Sequence, residues 1–117
     1  MTWTVLIVDD DEEFRGLARA LLDRGAFRVL GEAAGCREAL ARVAELRPAV
    51  VVVDVGLPDG DGFALAERLV ADDPPPAVVV VSSRDERTYR DRLQDSPVRG
   101  FIPKEDLSRE ALEALLH

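Results

Sequence analysis

Carboxylates at two strand ends, a hydroxyl pair at a third and an ammonium at a fourth sit at comparable places along this chain, each just beyond a run of apolar residues. In "TVLIVDDDEEF", residues 4–14, Val5 to Val8 lead straight into Asp9, Asp10 and Asp11. The valine run at 50–53 ends in Asp54, and the one at 78–81 ends in Ser82 and Ser83. Lys104 follows the apolar stretch in "GFIPKEDL". If the apolar runs are strands of one parallel sheet, these groups meet at its carboxyl edge, where open α/β sheets bind their ligands.

Carboxylates gathered there repel one another. Two of them about 5 Å apart cost roughly 3 kcal/mol at an effective dielectric of 20. The cluster therefore calls for a cation. Hard oxygen ligands on a shallow edge favour Mg²⁺, which takes one or two carboxylates and keeps several waters. Lys104 adds a second positive charge. A divalent ion and a lysine around one carboxylate suit a phosphoryl group, whose oxygens carry charge during transfer. The carboxylate between them can act as a nucleophile and become an acyl phosphate.

Taken singly, each residue has an ordinary structural role. An aspartate after a strand is often a cap or turn former, which covers Asp9 and Asp54. Asp11 and Glu12 suit the positive start of a helix. A lone lysine is usually solvated. The combination of all four strand ends is what points to chemistry.

The elements that must position these groups alternate strand and helix. Strands are expected at 3–8, 27–32, 49–54, 77–81 and 99–102. The two all-valine runs suit strands covered on both faces. Between them, Phe14, Leu17, Ala18, Leu21 and Leu22 form one helical stripe, with Gly25 at its stop, and Cys36, Ala39, Leu40, Val43 and Ala44 form a second. A third helix is expected over about 61–72, carrying Leu65, Ala66, Leu69 and Val70 and ending before the prolines at 74–76. The fourth, "DERTYRDRLQ" at 85–94, has only Tyr89 and Leu93 as an apolar pair, so its packing should be marginal and its position adjustable. Tyr89 could face a partner or pack beneath that helix. A fifth helix starts near Ser108, a suitable N-cap, and carries Ala111, Leu112, Leu115 and Leu116. Five β–α units in this order imply a doubly wound α/β sheet with right-handed crossovers and helices on both faces.

The 117 residues suffice for one domain, read as residues 1–117 without an internal linker. With 47% hydrophobic and 32% charged residues, the composition is that of a soluble globular protein. No apolar run approaches the roughly 20 residues of a membrane span, and no signal peptide is evident, so the expected place is the cytoplasm. A net charge of −8 argues against binding nucleic acid or anionic lipid by this chain alone. The single cysteine, Cys36, cannot form an internal disulfide. At a helix start its thiol could become more acidic, although a plain packing role is the simpler account.

The stretches "VLIVDDDEEFR", "LRPAVVVVDVGLPDGDGF", "VVVVSS" and "GFIPKEDL" together resemble the receiver domain of two-component response regulators, most closely receivers of helix-turn-helix regulators. The resemblance covers essentially the whole chain. It implies the flavodoxin-like strand order 2-1-3-4-5. It also implies that Asp54 accepts a phosphoryl group from a sensor histidine kinase in a Mg²⁺-dependent reaction. Asp9, Asp10, Asp54 and the backbone carbonyl of Gly56 would hold the ion, with Asp10 the more direct of the acidic pair. Ser82 and Lys104 would contact the phosphoryl oxygens. Ser82 and Phe101 would act as the switch, Phe101 turning inward as Ser82 moves and the fourth helix shifting with it. The chain would catalyse only its own phosphorylation and dephosphorylation, and it carries no output domain. It would control a DNA-binding output domain in a longer regulator, or a separate partner, through the surface of the fourth helix, fifth strand and fifth helix. Homodimerisation through that region is a further expectation from the family.

Three departures matter. Glu105 follows Lys104 where many members have proline, which argues for a trans bond there. Phe101 has no hydroxyl, so a switch at that position works by packing alone. Gly56 and Arg84 occupy positions that influence phosphoryl loss, so no lifetime follows. Two other functions compete: a pseudo-receiver that binds partners without being phosphorylated, and an aspartate-nucleophile phosphatase. The intact Asp54, Ser82 and Lys104 disfavour the first, and Gly56, in place of a second aspartate, disfavours the second. A flavin site is weaker still, because the first loop is acidic where a phosphate cradle needs Gly, Ser and Thr.

Overall fold

A computed structural model describes residues 2–117. The main strands are β1 (Trp3–Val8), β2 (Phe27–Ala33), β3 (Val50–Asp54), β6 (Ala77–Ser82) and β7 (Gly100–Pro103). A two-residue hairpin, β4 (Gly56–Leu57) and β5 (Gly60–Asp61), follows β3. The helices are α1 (Glu12–Leu22), α2 (Cys36–Leu46), α3 (Gly62–Leu69), α4 (Arg90–Gln94) and α5 (Arg109–Leu115). The main sheet runs in the order β2-β1-β3-β6-β7, with every neighbouring pair parallel. This is the flavodoxin-like order, and each main strand lies within one residue of its expected bounds.

The valine runs explain the layering. Successive side chains of a strand point to opposite faces. Val51 and Val53 of β3, with Leu6, Val8, Val78 and Val80, face α2 and α3. Val50 and Val52, with Val5, Ile7, Val79 and Val81, face α1 and α5. All of these are fully buried. Burying each contributes roughly 1.5–3 kcal/mol, so the central strands are the stiffest part of the molecule.

The helices depart from expectation where the sequence stripe was too wide. Leu17 belongs to the apolar stripe of α1, yet it is 55% exposed; Phe14, Ala18 and Leu22 carry the contact instead. Ala44 of α2 is likewise exposed, and Leu46 packs against the core. The expected third helix ends at Leu69, short of 72, and the expected fourth divides into a 3₁₀ turn, Glu86–Tyr89, and the five-residue α4. Neither piece buries a residue. A sequence this charged offers too little apolar area to hold a longer helix against the sheet.

Candidate functional site

Parallel pairing brings the chemical residues together. β1 and β3 are neighbours with Val8 opposite Val53, so Asp9 and Asp54 emerge side by side. This is where the chain turns to opposite sides of the sheet, β2 lying beyond β1 and β6 beyond β3. Pairing of Ser82 with Pro103 carries Lys104 to the same edge.

Asp9 is fully buried. Its Oδ1 accepts the Asp11 amide at 2.8 Å, and its Oδ2 lies 2.7 Å from Lys104 Nζ. That ion pair is the one contact made by Oδ2, which no backbone or neutral donor reaches. The Asp9 carbonyl accepts from Arg15 Nη1 at 2.7 Å, while Arg15 Nε and Arg19 Nε hold Glu32 at 3.0 and 2.9 Å. Hydrogen bonding by Arg19, aided by Arg15, keeps Glu32 ionised against the cost of burial. The turn that presents Asp9 and Asp10 is thereby tied to α1 and β2. Asp11, as expected, caps α1 by accepting the Glu13 amide at 3.0 Å.

Asp54 is half-buried, and its Oδ1 is 3.7 Å from Lys104 Nζ. Burial first, and then the Asp9 charge, push the Asp54 carboxyl up to about 6; Lys104 opposes the rise and Asp10 adds to it. Burial works against the charge on Lys104 in turn, but Asp9 and Asp54 outweigh it and raise its pKa. The ammonium also lies 4.4 Å from the centroid of Phe14. Carboxylate oxygens of Asp9, Asp10 and Asp54 all come within 4.8 Å of one another. Three acidic groups thus face one ammonium, and the Asp54 shift reflects burial first and the neighbouring carboxylates second. An all-oxygen donor set in which three carboxylates share one ammonium fits a hard divalent cation.

The loop after Asp54 is pinned by close packing. A side chain at Gly62 would place its Cβ 2.5 Å from the Asp54 carbonyl, so only glycine lets α3 approach β3 this closely. Gly56 is exposed at the start of β4, two residues past Asp54. Asp59 accepts the Cys36 and Arg37 amides at 2.7 and 3.0 Å and so caps α2 from across the fold. Burial, followed by the Asp59 charge, pushes the Cys36 thiol up, so the helix start does not activate it.

Ser82 is buried, but its hydroxyl is engaged elsewhere: Oγ accepts the Arg84 amide at 3.0 Å and shares a hydrogen bond with Tyr89 Oη at 3.2 Å. Ser83 is exposed. Phe101 is already inside, only 8% exposed, with its ring centroid 5.8 Å from that of Tyr89. An inward turn of Phe101 therefore has no outward starting point in this structure. Tyr89, half-buried, packs beneath the 3₁₀ turn between Phe63 and Phe101. The Lys104–Glu105 bond is trans, as expected.

Sequence reasoning had no signal for the Arg15 and Asp59 contacts, which only tertiary packing forms. Of the two readings for Tyr89, packing beneath the fourth-helix region is the one observed, and its bond to Ser82 was not foreseen.

The sheet order, the acidic pair beside Asp54 and the lysine at the end of β7 are those of a receiver-type α/β domain. Residues 5–117 match the family model for the response regulator receiver domain, and the chain belongs to that family. It is 32% identical over 112 residues to the response regulator GacA of Pseudomonas protegens, covering 95% of this chain and 53% of that protein. It is 42% identical over 79 residues to protein-glutamate methylesterase/protein-glutamine glutaminase 3 of Hahella chejuensis, covering 68% of this chain and 23% of that protein. The receiver domain of the putative response regulator NarL from Mycobacterium tuberculosis superposes with a TM-score of 0.85 at 28% identity, covering 98% of this chain and 94% of that one. The chain thus spans about half of one curated relative and a quarter of the other. Among the described residues, no helix is long and apolar enough to cross a membrane.

Proposed function

We propose that this chain is a phosphorylation-dependent signalling receiver whose acceptor is Asp54 and whose donor is a phosphohistidine on a sensor kinase. The observation that carries the reading is the Asp54 carboxylate beside the Lys104 ammonium, within the three-carboxylate cluster. Asp9, Asp10, Asp54 and the Gly56 carbonyl would hold Mg²⁺. The bound ion would supply charge neutralisation to the carboxylates and to the phosphoryl oxygens.

In the transfer, an Asp54 carboxylate oxygen forms a bond to phosphorus as the phosphorus–nitrogen bond of the donor breaks. The imidazole leaves with the bonding electron pair. Lys104 pairs with a phosphoryl oxygen while keeping its contact with Asp9. Arg15 holds the Asp9 carbonyl, so the acidic turn stays in place as the charge arrives. The Ser82 hydroxyl turns to donate to a phosphoryl oxygen, and the region around α4 responds.

Residues 1–117 form the receiver unit, working in the cytoplasm and turning over no external substrate. In a longer regulator it would control a DNA-binding output domain; homodimerisation offers a second use of the same surface. Incubation with Mg²⁺ and a small acyl phosphate should add one phosphoryl group by intact mass. No gain, or a gain that survives in Asp54→Asn, overturns the proposal. The same measurement separates it from a pseudo-receiver, and turnover of a chromogenic phosphate ester would favour a phosphatase.

A further inference from the structure

We infer that Tyr89 is a positioning residue for Ser82, and that its hydroxyl, together with Arg92, latches the α4 region in the unphosphorylated chain. α4 and the 3₁₀ turn before it bury no residue fully; only Tyr89 and Leu93 pack against the core, each partly exposed, so apolar packing fixes them weakly. Two polar contacts on one side add to that hold. Tyr89 Oη bonds Ser82 Oγ at 3.2 Å, and Arg92 Nη2 pairs with Asp61 at 2.8 Å while its guanidinium lies 4.5 Å from the Phe63 centroid.

Both anchors lie close to the acceptor. Ser82 ends the strand beside β3, and Asp61 caps α3 at the end of the loop that follows Asp54. Burial works against the charge of Asp61, but the Ala64 amide and Arg92 hold its carboxyl below the usual range, so the ion pair is formed at neutral pH. Arg92 is half exposed, which makes this the weaker point. The Tyr89 hydroxyl is the more consequential one. A serine hydroxyl has one proton to donate. Turning it toward a new acceptor beside Asp54 carries its oxygen away from Tyr89, and the latch opens on that side. Phe101 has no hydroxyl and is already buried, so it cannot supply this contact.

The phosphorylated half of this inference rests on Asp54 as acceptor; the latch itself does not. Tyr89→Phe keeps the ring and removes only the hydroxyl. In the unphosphorylated chain, amide hydrogen exchange over 86–94 should rise about two- to tenfold in Tyr89→Phe, the range for one lost hydrogen bond. Exchange in β1 and β3 should not change. Unchanged exchange over 86–94 overturns the latch. Arg92→Gln should raise exchange over the same span by a smaller factor, and no rise there removes Arg92 from it.

Tyr89 is the only tyrosine, so labelling tyrosine Cζ with ¹³C gives one resonance. After treatment with Mg²⁺ and an acyl phosphate, that resonance should shift, and exchange over 86–94 in the wild type should reach the Tyr89→Phe level. A mass gain with an unmoved resonance overturns the coupling while leaving Asp54 as acceptor. No mass gain overturns the acceptor reading and with it the coupling, while exchange in untreated Tyr89→Phe still decides the latch.

Discussion

Helices α4 and α5 follow the neighbouring strands β6 and β7 of the same sheet, and both are short, at five and seven residues. They are held in opposite ways. α5 starts on a Ser108 cap, places the fully buried Leu112 against the sheet, and is tied to α1 by Arg109 donating to the Leu21 carbonyl at 3.0 Å. α4 has no side-chain cap and no buried residue, and its anchors are a shared hydroxyl bond and an exposed ion pair. Apolar burial is non-directional and hard to undo with a single charge. A hydrogen bond can be exchanged for another at little net cost. The same sheet thus supports one helix as scaffold and one that a local change of hydrogen bonding can release.

The sharpest test of that contrast is a pair of truncations. Leu112→Ala should cost about 2–5 kcal/mol in urea unfolding, as expected for a fully buried leucine. Leu93→Ala in α4 should cost less than about 1 kcal/mol. Equal losses would mean that α4 is as firmly packed as α5, and the contrast would fall.

A second test concerns the acidic edge that α4 is proposed to sense. The Asp54 carboxyl stands at about 6 against an ordinary 3.8, so the folded chain holds its proton more tightly than the unfolded chain does. Stability from this group is present below about pH 4 and is lost as pH rises through about 6. In chelator at pH 7, Asp54→Asn should therefore be more stable than wild type by about 3 kcal/mol. The difference should vanish near pH 4. A destabilised Asp54→Asn at pH 7 would show that Lys104 already balances the cluster.

Two smaller effects sharpen the picture. Removing the α5 cap by Ser108→Ala should lower stability by about 1 kcal/mol. Arg42→Ala, which breaks an exposed pair with Glu45 at 3.5 Å on α2, should change it by less than about 0.5 kcal/mol. A thermal melt that ranked these two in reverse would assign surface charge a larger part than the geometry gives it.

Much of this molecule was legible before folding. The valine runs at 50–53 and 78–81 have no polar face, so only a strand covered on both sides accommodates them. That placed Asp54 and Ser82 at strand ends to within one residue. The sparse apolar content of 85–94 likewise announced a weakly packed segment, because that shortage is a property of composition. The α1 stripe was read too wide, since Leu17 has the right spacing but finds no surface beneath it. Helical period shows which residues share a side, whereas the neighbouring sheet decides how many of them it covers.

The positions of the strand ends and the chemistry they carry were determined by the sequence alone, because strand propensity and hydrophobic pattern act over a few neighbouring residues. Contacts between distant side chains were decided only by the tertiary structure. Asp59 caps a helix whose first residue is 23 positions earlier, Arg15 reaches back to the Asp9 carbonyl, and the Ser82 hydroxyl meets Tyr89 rather than the acidic edge. Each depends on the direction of a side chain after the sheet has closed, and a hydrogen bond is decided by fractions of an ångström that no local pattern encodes.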